Sequence, residues 1–129
     1  MKHPYISNDP ITMIAEAFEA LFPDIKYEAA YASGIKNANG EDAYSCTAFP
    51  NADADPAAVP VIFLNEDKTV HELAQTFAME LVHVLLGGYY KESEDEEYEK
   101  ILAQIYAKYN EIGEARFPTK EGGDENEAQ

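Results

Sequence analysis

Phe77-Ala78-Met79-Glu80-Leu81-Val82-His83-Val84-Leu85-Leu86-Gly87 is the stretch on which the fold of this chain turns. It lies inside a longer helical pattern. From about residue 69 to residue 86, Val70, Leu73, Phe77, Leu81, Val84 and Leu85 recur at the spacing of one helix face, with Ala74 and Ala78 beside them. Gly87-Gly88 follows, and glycine ends helices readily because it takes the left-handed conformation. Glu72, Thr76, Met79, Glu80 and His83 fall on or beside a second stripe, flanking that of Leu73, Phe77 and Leu81. The predicted helix therefore buries one stripe and holds a carboxylate and an imidazole beside it.

Working outward, the chain before this helix reads as one helix and three strands. Asp9 is a good N-cap, Pro10 suits the first helical position, and Ile11, Ile14, Ala15, Phe18, Leu21 and Phe22 recur at helical spacing until Pro23 stops them. Ile25, Tyr27, Ala29 and Tyr31 then alternate with Lys26, Glu28 and Ala30. A second alternation runs through Tyr44, Cys46 and Ala48, and Asn39-Gly40 between the two is a strong turn signal, so the pair is expected to form a hairpin. Residues 51–60 read as a polar loop broken by proline, and residues 61–64 as a short, continuously apolar strand. After the main helix, Ser93-Glu94-Asp95-Glu96 has the form of a capping box. It starts a second long helix with the stripe Tyr98, Ile101, Leu102, Ile105, Tyr106, Tyr109 and Ile112. The order predicts an α+β domain: an N-terminal helix, a small three-stranded sheet, an active-site-like helix and a C-terminal helix. Residues 1–117 are expected to form this single domain, and residues 118–129 an acidic, disordered tail.

Composition agrees with one globular domain: 129 residues, 46% hydrophobic and 12% aromatic. The charge balance is lopsided, with 25 Asp and Glu against 9 Lys and Arg and a formal net charge of -16. Direct binding of nucleic acid is disfavoured, because neutralising phosphates needs clustered basic side chains. Anionic membrane surfaces are disfavoured for the same reason, and no apolar run approaches the ~20 residues that span a bilayer. Cys46, the single cysteine, can neither close an internal disulfide nor frame a metal site. With no apolar leader at Met1-Lys2-His3-Pro4, a cytoplasmic protein is expected.

The stripe on the main helix has the layout that metal-dependent peptide hydrolysis uses. Two imidazoles four residues apart clamp Zn²⁺ from one helix face, and an intervening glutamate acts as general base on the metal-bound water. Glu80 and His83 stand at the base and at one ligand position, and Met79 stands at the position of the missing ligand. Met79-Glu80-Leu81-Val82-His83-Val84-Leu85-Leu86-Gly87 resembles the active helix of zincin metallopeptidases of the SprT-like and ImmA-like kind, with the His-Glu-x-x-His motif degenerated to Met-Glu-x-x-His. Val59-Pro60-Val61-Ile62-Phe63-Leu64-Asn65 resembles the strand that edges the cleft in those families. The resemblance covers about residues 59–110. It implies that a third ligand comes from the next helix, where SprT-like proteins place a His four residues before a bulky aromatic. The matching positions here are Glu94 and Tyr98, so Glu94 takes the ligand position.

These departures shape the functional expectation. A thioether is a poor Zn²⁺ ligand, and His83 with Glu94 would hold zinc weakly or not at all. The resemblance thus implies a degenerate metallopeptidase-like protein, with peptidase activity lost or weak and a cleft retained for a peptide or protein. Two alternatives stand beside it. One is an active peptidase with Glu80 as base, His83 and Glu94 as ligands and a third group from elsewhere. The other is an acidic interaction or inhibitor protein that binds a basic partner. Plain roles exist too: Met79 as core packing, His83 as a buried histidine bonded to a carboxylate, Glu80 as its partner three residues back. His71-Glu72-Leu73-Ala74-Gln75 is a near miss to the same motif, but His71 and His83 lie about 120° apart around the helix. His71 reads as a surface residue of the first turn.

Overall fold

The computed structural model of the chain describes residues 8–50, 57–88 and 95–118. Local signals set its helices. Asp9 caps α1 (Pro10–Leu21), its carboxylate accepting from the Ile11 N–H and the Thr12 hydroxyl, and Pro10 occupies the first turn, where its missing N–H costs nothing. Thr69 and Glu72 close a reciprocal capping box on α2 (Val70–Leu86), which ends at Gly87 with φ 81°. The last helix, α3 (Asp95–Arg116), carries Asp95, Glu96 and Glu97 in its first turn, where the helix dipole favours negative charge. Ser93 and Glu94, two members of the capping box read from the sequence, lie outside the described residues, as do residues 119–129 of the expected tail.

The sheet departs from the expected hairpin. Its strands are β1 (Glu28–Ala32), β2 (Ser45–Ala48) and β3 (Val61–Asn65), in the order β1-β3-β2. β3 runs parallel to β1 and antiparallel to β2. The Asn39-Gly40 turn does form. The Asn37 side chain accepts from the N–H groups of Asn39 and Glu41, Gly40 has φ 80°, and one antiparallel bridge joins Lys36 to Asp42. Beyond that bridge the two arms part and take opposite sides of β3. Composition explains the choice: β3 is apolar from Val61 to Leu64 and can be flanked on both edges, whereas β1 carries Glu28 and β2 carries Ser45 and Thr47. The strand that resembled a cleft edge is therefore the central one, and β2 is the edge strand beside α2.

The helix α2 lies between two layers. It packs against β2 and β3 on one side and against α1 and α3 on the other. That position explains why Leu73, Ala74, Phe77, Ala78, Leu81, Val82 and Val84 are all buried along it. Phe18 from α1 and Ile101 and Ile105 from α3 complete the core with Ile62 and Leu64 of β3. Tyr27, just before β1, meets Phe18 edge-on at 5.7 Å between ring centroids and approaches Phe77 at 6.4 Å. Its hydroxyl donates to Glu19 at 3.2 Å. Asn65 is fully buried at the end of β3 yet satisfied: its amide donates to the Ala43 carbonyl at 2.8 Å, fastening the segment before β2 to the sheet. Among the described residues, no helix is long and apolar enough to cross a membrane.

Candidate functional site

The helix stripe and the edge strand meet at Glu80. β2 alternates, and the side it turns to α2 carries Ser45 and Thr47, leaving Cys46 and Ala48 exposed. This inverts the set picked out by apolar character in the sequence. The cause stands across from them: a carboxylate on α2 needs donors, and two hydroxyls at period-two spacing supply them. Ser45 Oγ donates to Glu80 Oε2 at 2.6 Å, and Thr47 Oγ1 donates to Oε1 at 2.6 Å. Ser45 also lies 2.6 Å from Thr76 Oγ1. A serine hydroxyl has one proton, and it is spent on Glu80, so Thr76 donates to Ser45 and the three groups form a chain.

His83 completes the cluster. Its Nδ1 lies 3.4 Å from Glu80 Oε1, and its ring packs 5.5 Å from that of Tyr98. An ionised carboxylate only accepts, so Nδ1 carries the proton, and Nε2 holds the lone pair when the ring is neutral. Burial opposes the Glu80 charge. The hydrogen bonds from His83, Ser45 and Thr47 nevertheless outweigh it and hold the carboxyl below its ordinary range. Tyr98 moves the other way, pushed up to about 12 by burial first and then by the charges of Glu99 and Glu80.

The other sequence candidates separate. Met79 is 43% exposed and is not core packing. With Tyr44, Glu72, Gln75 and Thr76 it lines a groove of about 420 Å³ between the start of β2 and α2. Glu72 is engaged at the helix start, bonded to the Thr69 N–H and hydroxyl, which hold its carboxyl below the ordinary range. His71 is exposed, as read from the sequence, 3.5 Å from Gln75. Glu94 lies outside the described residues. Among the described residues, no group of three or more His, Cys, Asp and Glu side chains converges as a metal site would. The sequence marks Tyr44 only as a strand residue and does not single out Ser45 and Thr47. The signal for the two hydroxyls is a Ser-x-Thr pair at strand spacing, which means nothing until the strand is laid against Glu80. Comparison of the chain with family models, curated proteins and solved structures found no match.

Proposed function

We propose that this chain is a zincin-like domain that no longer hydrolyses peptides and instead binds a peptide or protein segment in the cleft between β2 and α2. One observation carries the proposal: both oxygens of Glu80 accept short hydrogen bonds from hydroxyls of β2. With His83, these donors occupy three of the carboxylate's roughly four acceptor sites, which makes Glu80 a weaker general base toward a water than an unbonded carboxylate would be. Glu80 instead fastens the helix to the edge strand, and His83 turns its Nδ1 to the same carboxylate. At the other ligand position stands the half-exposed thioether of Met79. Among the described residues His83 stands without the second imidazole that a zinc site on this helix would use, and Glu94 lies outside them.

The same cleft has what a binding surface needs. β2 is an edge strand, and an extended segment can add to such an edge through main-chain hydrogen bonds. Tyr44, 48% exposed, and Met79 offer apolar contact at the groove, with Glu72 on its wall. The formal charge of -16 favours a segment rich in Lys or Arg.

Metal analysis of the purified protein tests the loss of hydrolysis. No stoichiometric zinc is expected, and one tightly held equivalent would sink the proposal. Zinc titration of Met79→His asks whether the remainder of an ancestral site persists. Chelator-sensitive cleavage of a peptide library, abolished by Glu80→Gln, would favour the peptidase alternative. For binding, selection from a library of extended basic peptides is expected to yield ligands that weaken about tenfold with Tyr44→Ala or Met79→Ala, the loss of one apolar contact.

A further inference from the structure

Among the described residues the sheet has two free edges, and they differ. β2 is backed by α2, whereas β1 packs on β3 alone and touches no helix among the described residues. Glu28, Ala29, Ala30 and Tyr31 are all exposed, Tyr31 at 58%. Parallel strand pairs are ordinarily covered on both faces. Edge strands left open are usually blunted with lysine, proline or a bulge, because their unpaired peptide groups template association. β1 reads Glu-Ala-Ala-Tyr-Ala, with one charge and none of those devices.

The phase of the ladder tells which peptide groups are free. The Glu28 N–H donates to the Pro60 carbonyl at 2.9 Å, and the Ala32 carbonyl accepts from the Glu66 N–H at 2.8 Å. With Glu28 opposite Val61 and Ala32 opposite Asn65, the peptide groups of Glu28, Ala30 and Ala32 turn toward β3. Those of Ala29 and Tyr31 turn outward.

We propose that β1 pairs antiparallel with β1 of a second copy, about a two-fold axis at Ala30, joining the two sheets into one. In that register Ala29 of one copy and Tyr31 of the other exchange their outward N–H and C=O groups. Ala30 meets its own counterpart at a non-hydrogen-bonded position, where Cα atoms approach to about 4.5 Å and a methyl side chain fits. Glu28 faces Ala32, so no like charges stand opposite. The strand is thus complementary to itself, and with Glu28 as its one charge it offers a basic peptide little. The chain's charge of -16 opposes self-association at long range, so salt strengthens it by screening. A basic segment bound at β2 would respond to salt in the opposite sense, which keeps the two interfaces distinguishable.

Sedimentation equilibrium of the full chain, at low salt and at about 0.5 M NaCl, where the Debye length is only a few ångströms, tests the proposal. A reversible monomer–dimer equilibrium that shifts toward dimer with salt is expected. Ala29→Pro removes an outward N–H without touching the β3 ladder, and is expected to weaken dimerisation at least about tenfold with the far-UV spectrum unchanged. Independently, Ala30→Cys in a Cys46→Ser background is expected to form an intermolecular disulfide on oxidation, and Ala29→Cys far less, since only position 30 meets itself across the axis. A monomer at every concentration and salt, or equal crosslinking from positions 29 and 30, would overturn the proposal. So would a dimer unaffected by Ala29→Pro.

Discussion

At the scale of single residues, Glu80 shows how a half-buried carboxylate is kept charged. Its donors favour the ionised form more in the folded chain than water does in the unfolded one, so the folded-state carboxyl titrates below its ordinary range. The stability this supplies is fully present above the unfolded carboxyl value of about 4.3 and is lost as pH falls through the lower folded value. Glu80→Gln keeps the shape but puts an amide donor against one of the two hydroxyls, and is expected to cost about 2 kcal/mol at pH 7. Urea denaturation should show the difference from wild type shrinking toward pH 3; a difference that stayed constant would mean that the charge is not what the hydroxyls stabilise. Gly87 is the other residue with an individual task. Among the described residues no atom would crowd a side chain there, but its φ of 81° would strain one, so Gly87→Ala is expected to cost about 1 kcal/mol in thermal or urea unfolding.

At the scale of elements, the helices were legible and the strand pairing was not. Asp9-Pro10, Thr69 with Glu72, and Gly87 act on backbone within one turn of themselves, so the limits of α1 and α2 could be read from neighbours in the chain. Thr69→Ala, which opens the capping box, should accordingly lower stability by about 1 kcal/mol. Strand partners are chosen over long separations. Asn39-Gly40 made its turn as expected but did not bring β1 and β2 together, because β3 contributes the apolar surface that both need. The inward side of β2 was equally hidden. Tyr44, Cys46 and Ala48 look like an inner face until Glu80, which lies 35 residues from Ser45 and 33 from Thr47, claims the hydroxyls instead. Phe77, 1% exposed at the centre of α2, touches both layers' business at once, and Phe77→Ala should cost about 3–5 kcal/mol, enough to unfold much of the protein in chemical denaturation.

At the scale of the whole molecule, three layers are held together by apolar contact while the surface carries a large excess of negative charge. Compactness brings those charges closer than they are in the unfolded chain, so screening should stabilise the fold. Raising NaCl from about 0.02 to 0.5 M is expected to raise the melting temperature by a few degrees, in a dilute sample where β1 association is negligible. A flat response would mean that the acidic side chains already sit far enough apart to ignore one another. The α+β composition, the acidic surface, the helix limits and the pairing of Glu80 with His83 were determined by the sequence itself, since each depends on composition or on residues a turn apart. Tertiary structure alone decided that β3 is central, that β1 is left open, and that Glu80 is held by Ser45 and Thr47 of β2. Those outcomes rest on groups brought together from distant parts of the chain, where burial of apolar area and satisfaction of a buried charge outweigh any local preference.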